Sequence, residues 1–216
     1  MLQHIICGLK SNILMMYKNR TVCYTCYRPQ TSCMCSYITQ INTNTRFIIL
    51  MHPKEFKKTK NGTGHFTNLS LKNCIIHVGI DFSKHSAINK IINDPKNVCY
   101  VLYPSDISIN LNEEYIGEEE KDTVIFLIDA TWPCSKSILA SSPNIDSLKK
   151  VSFTHTKVSH FTFKEQPKAY CLSTMESTLC VLELLNKQHL ENIDNKSLKN
   201  FLMPFDQMVK YQLSYS

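Results

Sequence analysis

The sequence predicts an α/β fold built on a largely parallel sheet, preceded by a small cysteine-rich segment. Three observations carry this. Short apolar runs alternate with stretches of helical periodicity, the pattern of repeated strand–helix units. One of those runs, Thr123 to Ile128, is continuously apolar, as expected of a strand covered on both faces. Four of the ten cysteines crowd into CYTCYRPQTSCMC.

That cluster comes first along the chain. Cys23, Cys26, Cys33 and Cys35 have the spacing C-x2-C-x6-C-x-C. The first pair can point two thiolates at one metal from a tight turn. The second pair returns after a loop holding Arg28-Pro29, so that four sulfurs complete a tetrahedral zinc site. Free cysteines also pack well as small hydrophobes, but four within so short a stretch favour a metal. A closed four-sulfur site leaves no position for water, so the zinc is expected to be architectural. Cys7, Cys74, Cys99, Cys134, Cys171 and Cys180 lie scattered in apolar stretches and are expected in the core.

The remaining elements follow in order. Arg46 to Met51 reads as a buried strand, followed by a loop carrying His52, Glu55, Lys54, Lys57, Lys58, Lys60, Gly62 and Gly64. Cys74 to Val78 is a second strand, HSAINKIIND a short helix ended by Pro95, and Val98 to Leu102 a third strand. Glu118 to Glu120 is a solvated acidic loop before the Thr123 to Ile128 strand. Pro133 suits the first turn of a helix begun at Thr131 or Trp132, because its missing N–H is not needed there. The chain turns through SSPN, and Leu148 to Phe153 makes a further strand. LSTMESTLCVLELLNKQ starts with the capping box Ser173-x-x-Glu176 and carries the apolar stripe Met175, Leu179, Leu182 and Leu185. Asn195 to Leu213 reads as a last helix bent near Pro204.

Bulk properties narrow the classes. A chain of 216 residues, 43% hydrophobic and 19% charged, can bury a core and is not globally disordered. The net charge of +6 fits a nucleic-acid partner without demanding one. No run is long enough to span a membrane. The start lacks a signal-peptide pattern, so a cytoplasmic location with reduced thiols is expected. The chain divides into an N-terminal extension (1–19), a zinc-binding segment (20–45) and a catalytic domain (46–216). Its five glycines form neither G-x-G-x-x-G nor G-x-x-x-x-G-K-[ST]. A nucleotide-like ligand would then be held by loops at the carboxyl ends of strands. Three such loops are visible: Tyr103-Pro104-Ser105, Asp129-Ala130-Thr131-Trp132 and Leu172-Ser173-Thr174.

Taken in order, these pieces resemble the DTW-domain family of tRNA-uridine aminocarboxypropyltransferases. The likeness rests on the cysteine cluster with Arg28-Pro29, His52-Pro53-x-Glu55, Thr63-Gly64, Leu102-Tyr103-Pro104-Ser105, Asp129-Ala130-Thr131-Trp132 and Leu172-Ser173-Thr174-x-Glu176. The stretch KTKNGTG lacks the asparagine usual between two threonines, and Ser177 replaces a usual alanine. The resemblance implies a SPOUT-like fold with a C-terminal trefoil knot and a bound S-adenosylmethionine. Its 3-amino-3-carboxypropyl group would pass to N3 of a tRNA uridine, releasing methylthioadenosine. A SPOUT-like RNA methyltransferase and a non-catalytic zinc-stapled RNA-binding module are the alternatives.

On that reading the cofactor lies against Leu102, Tyr103, Pro104, Ser105, Ile128, Asp129, Leu172, Ser173, Thr174 and Glu176, with its carboxylate at the helix start. Asp129 is the expected base or acceptor for N3–H, or else a helix cap. Thr131 orients the acceptor or caps the helix. Trp132 stacks on a base or on adenine, although core packing is the expectation preferred for a lone tryptophan. Glu176 is expected to serve as the capping-box partner. Lys54, Lys57, Lys58 and Lys60 are phosphate-contact candidates, and His52 and Glu55 reach the tRNA backbone or the pocket, or hold structure. The partners are tRNA and the cofactor, for a monomer or a homodimer with no membrane contact.

Overall fold

The structure, a computed structural model, describes residues 21–57, 62–155 and 172–214. The N-terminal extension, Lys58, Lys60, Cys7 and Cys171 lie outside the described residues. Among those described, six strands form one sheet in the order β2-β1-β5-β3-β6-β4, every pair parallel. They are β1 (Arg46–Met51), β2 (Cys74–Val78), β3 (Asn97–Leu102), β4 (Ile109–Asn110), β5 (Asp122–Asp129) and β6 (Lys149–Ser152).

The apolar runs explain the order of burial. Phe47, Ile48, Ile49, Leu50 and Met51 are all fully buried, and β5 beside them is buried from Thr123 to Leu127. Period-two alternation splits these residues between two cores. Phe47, Ile49, Met51, Ile125 and Leu127 face one layer; Ile48, Leu50, Val124 and Phe126 face the other. Each such side chain contributes about 1.5–3 kcal/mol on burial, which is why these strands sit in the middle. The short edge strand β2 leaves Ile75 and Val78 exposed.

Helices cover both faces. They are α1 (Pro53–Phe56), α2 (Thr63–Ser70), α3 (Ser86–Ile92), α4 (Trp132–Ser141), α5 (Pro143–Asp146), α6 (Thr174–Lys187), α7 (Asn195–Asn200) and α8 (Met203–Leu213). The first core takes Phe66 from α2, the stripe Met175, Leu179, Leu182 and Leu185 from α6, and Phe205 and Met208 from α8. Cys26, Met34 and Ile41 join this same core. The second core takes Ile88 and Ile91 from α3, Ile138 and Leu139 from α4, and Ile145 from α5.

Several expectations need correction. The stretch after β1 is not all loop: α1 and α2 stand there, α2 built from the weak helix formers TGHFTNLS and held by tertiary packing rather than propensity. The SSPN turn is followed by the short helix α5, with Pro143 in its first turn. The last helix does not bend near Pro204 but breaks into α7 and α8. Pro204 has no N–H for the carbonyl four residues back, so the chain restarts with proline in the first turn. The strand β4 is only two residues long, too short to leave a periodic signal. Cys74, Cys99 and Cys134 are only partly buried, whereas Cys180 is in the core. Among the described residues no helix is long and apolar enough to cross a membrane. A knot would be closed by the chain between β6 and α6, and residues 156–171 lie outside the described ones.

Candidate active site and metal centre

Because all strands run one way, their carboxyl ends share one edge of the sheet. There β5 lies between β1 and β3, where the chain order reverses and a crevice opens. A cavity of about 940 Å³ occupies that edge. Leu102, Tyr103 and Pro104 line it after β3; Leu127, Ile128, Ala130 and Trp132 at the end of β5; Leu172 and Thr174 at the start of α6. The three turns singled out in the sequence therefore meet in space. Ser152, Phe153, Thr154 and His155 close the side formed by β6, and Ser135, Lys136 and Ser177 complete the wall.

Those last two groups escaped sequence reasoning, though signals existed. Phe153 to His155 also follow a strand end. Ser177 is one helical turn from Thr174, and Ser135 and Lys136 are one turn from Trp132.

Trp132 is not a core residue. It is 42% exposed, and its ring meets Tyr103 edge-on with centroids 6.0 Å apart. Pro133 begins α4 at the strand end, so Trp132 sits beyond the covered layer of the sheet, at the cavity rim. Thr131 holds the N-cap position of α4, but its side chain makes no capping bond.

Asp129 is buried, 8% exposed, and does not line the cavity. Thr174 Oγ1 donates to its Oδ1 at 2.6 Å, and its main-chain oxygen accepts from the His52 N–H at 3.0 Å. Its other carboxylate oxygen abuts Gly64 in the first turn of α2. A Cβ there would stand 2.8 Å from Asp129 Cγ and 2.8 Å from Met51 Cε. The carboxylate thus lies between the amino ends of α2 and α6, where the helix dipoles favour negative charge. It fastens β5, α2 and α6 together, and Thr174 carries its hydrogen bond to the cavity wall.

The α6 start is built as the sequence predicts. Ser173 Oγ accepts from the Glu176 N–H at 3.3 Å, and Glu176 Oε2 accepts from the Ser173 N–H at 2.8 Å. Both side chains are spent on the cap, and neither lines the cavity. Ser105 does not line it either; its Oγ is buried without a hydrogen-bond partner. His52 is buried. Its Nδ1 accepts from the Lys54 N–H at 3.1 Å and so caps α1. Glu55 is half-buried, and Lys54 and Lys57 are exposed.

The four clustered cysteines converge. Their sulfurs all lie within 4.8 Å of one another, with Cys23 to Cys35 at 3.6 Å and Cys26 to Cys33 at 3.8 Å. Metal–sulfur bonds of about 2.3 Å in a tetrahedron put sulfurs about 3.8 Å apart, so the donor set fits a divalent cation. The backbone N–H of Cys26, helped by that of Thr25, holds the Cys23 thiol down to about 6. Burial pushes Cys35 up. One thiolate therefore forms readily, while ionising all four needs a cation in their midst. Beside them Arg28 is only 1% exposed. Its Nε donates to Ser32 O at 2.7 Å, and its guanidinium lies 5.9 Å from the centre of the Phe66 ring. This ties the cysteine turn to α2.

Residues 20–213 match the DTW domain. The chain is 29% identical over 202 residues to tRNA-uridine aminocarboxypropyltransferase 2 of Drosophila melanogaster, covering 90% of itself and 76% of that protein. It is 26% identical to the protein of the same name from Macaca fascicularis and 25% to that from Mus musculus, each over 201 residues. These matches take in 92% of the chain and 65% of each mammalian protein, so it spans just under two thirds of their length. No solved structure matches it. With the match running over nearly all of the described fold, the chain belongs to the DTW domain family.

Proposed function

We propose that the protein is a tRNA-uridine aminocarboxypropyltransferase that moves the 3-amino-3-carboxypropyl group of S-adenosylmethionine onto N3 of a tRNA uridine. The observation that carries this reading is the meeting of three strand-end turns around one cavity, with a buried carboxylate hydrogen-bonded to its wall, in a chain similar to proteins of that name. The residues present fit the cofactor. The cavity is of small-molecule size and mixes apolar wall with the rings of Tyr103, Trp132 and Phe153. The amino end of the 14-residue helix α6 opens beside it, a favourable place for a carboxylate. When bound, the sulfonium supplies an activated γ-carbon, so no covalent enzyme intermediate is needed.

Two tasks fall to the protein. It holds the acceptor uracil against that carbon, which Trp132 and Tyr103 do by offering ring faces and edges at the rim. It also removes the N3 proton. Thr174 lines the cavity and its Oγ1 donates to Asp129, which leaves the lone pairs of the hydroxyl to accept N3–H. The proton passes to Thr174 as the hydroxyl proton moves to Asp129. With S-adenosylmethionine bound, the N3 electron pair freed in this way would be available to displace the sulfur at the γ-carbon, with methylthioadenosine as the leaving group. Asp129 is thus the base at the end of a two-group relay. The four cysteines hold a structural zinc, and the exposed Lys54 and Lys57 face tRNA phosphates.

The test is S-adenosylmethionine labelled separately on the methyl and carboxyl carbons, incubated with enzyme and tRNA. Label from the carboxyl carbon should enter tRNA and appear in an aminocarboxypropyl-uridine on nucleoside mass spectrometry. Label from the methyl alone would instead make the protein a methyltransferase. Thr174→Val should lower product formation by about 100-fold or more while tRNA binding holds, and Thr174→Ser should retain most activity. A fully active valine variant removes the relay.

A further inference from the structure

The cysteine turn ends in a residue that its backbone does not favour. Tyr27, directly after Cys26, stands at φ 57°, with its N–H donating to Cys23 O at 2.8 Å. Glycine occupies that left-handed region without strain, and a tyrosine does not. A side chain kept there against the backbone preference does something glycine would not. Tyr27 is 54% exposed, and its ring lies 6.2 Å from the ring of His65. On the other side, His65 lies 5.4 Å from the ring of Phe56, which is 45% exposed. A second local cost falls on the same spot: His65 Nε2 is buried without a hydrogen-bond partner. Burial also holds the imidazole below its usual range, so it stays an uncharged ring between the other two.

The place and the charge of this cluster point the same way. Phe56 ends α1, with exposed Lys54 and Lys57 close beside it in the chain. His65 follows Gly64, which touches the Asp129 carboxylate, and α1 is capped by His52, whose N–H donates to the Asp129 main-chain oxygen. The elements that carry Phe56 and His65 therefore abut the residue under the cavity wall. Rings set among exposed cations suit unpaired nucleobases, whose faces stack on any aromatic side chain while lysines reach the phosphates. Paired RNA hides those faces.

We propose that Tyr27 and Phe56, propped on His65, form a stacking surface for unpaired bases of the tRNA, with Lys54 and Lys57 on the adjoining phosphates. The metal-bound turn would then be a part of the RNA-binding face as well as a staple. This rests on the reading of tRNA as substrate.

The experiment measures binding of a tRNA transcript, without S-adenosylmethionine, across several salt concentrations, together with Tm, zinc content and product formation. Tyr27→Gly relieves the backbone, so its Tm and zinc content should equal or exceed those of the parent while tRNA binding weakens about tenfold. The salt dependence should be unchanged in that variant, and Tyr27→Phe should bind as the parent does. Lys57→Ala should instead flatten the salt dependence by about one phosphate contact. Phe56→Leu, which changes no strained backbone, should weaken binding as Tyr27→Gly does and keeps the test open should the glycine variant fold poorly. Tyr27→Gly combined with Phe56→Leu, binding tRNA as tightly as the parent and still forming product, overturns the stacking surface and leaves the transferase reading standing. Loss of Tm and zinc in Tyr27→Gly, with Phe56→Leu binding normally, marks Tyr27 as structural and also overturns it. A parent protein that binds no tRNA removes both readings.

Discussion

The cavity wall and the cysteine turn are ordered by different forces. The wall stands on β1, β3 and β5, whose side chains are buried on both faces, so its position follows from the hydrophobic core. Residues 22–37 have no element longer than three residues, only the turns Gln30–Ser32 and Cys35–Tyr37 and the isolated bridge Val22 to Pro29. Their four sulfurs face one point, and the buried Arg28 bonds within the turn and lies over the Phe66 ring of α2. The difference teaches where each region is fragile: packing yields gradually to a smaller side chain, whereas a metal site yields all at once.

The largest effect should come from breaking the metal site. Replacing Cys23 and Cys26 together by serine should take zinc from about one per chain to none and leave the protein insoluble. Structural zinc in small sites contributes on the order of 10–16 kcal/mol, as much as a whole domain's net stability. Atomic absorption and sedimentation of the lysate check this. A soluble, metal-free double variant with parental activity would show that packing of Cys26, Met34 and Ile41 is enough.

A smaller effect should come from the packed side of the comparison. Gly64→Ala would push a methyl against Asp129 and Met51. Overpacking of this kind costs about 1–3 kcal/mol, measurable as a lower urea midpoint. Product formation should fall further than stability does, because the Asp129–Thr174 bond sits at the same joint. Zinc content should not change. An alanine variant with parental stability and activity would mean that α2 can slide.

How much of this was legible in the sequence follows the same division. The buried strands, the cysteine set and the capping box of α6 each announce themselves through residue type at fixed spacing, and all are found. The helix α2 does not, because Thr63, Gly64, Thr67, Asn68 and Ser70 are poor helix formers; its order comes from Phe66 in the core and from its neighbours. Gly64 belonged to a recognisable Thr-Gly pair, yet its reason, the carboxylate pressed against it, is a contact between residues 65 positions apart in the chain. Asp129 stands out in the sequence as a carboxylate at a strand end, but its partner Thr174 and its distance from the cavity surface needed the fold. Trp132 was misjudged because rarity and size favour the core, whereas a proline beside it starts a helix at the exposed sheet edge.

The smallest effect should appear at the joint between the two regions, where His65 lies against Tyr27 and Phe56. Burial, the main cause, holds its folded-state titration below the usual value of 6.5. The unfolded chain then takes up a proton as pH falls below about 6.5, while the folded imidazole resists it. Stability rises with pH wherever the unfolded state binds more protons, so this group favours folding above that point. Its contribution fades below about 6.5 until the folded imidazole also protonates. Lowering pH from 7.5 to 5.5 at saturating zinc should lower Tm. His65→Asn keeps a side-chain N–H donor near that of the imidazole but cannot titrate, so its Tm should fall less over the same interval. Zinc release must be followed in both proteins, because Cys23 titrates at about 6 in the metal-free turn and would lower stability in the same direction. Equal falls in the two proteins, with zinc retained, would place the acid sensitivity in other groups and leave the joint insensitive to pH.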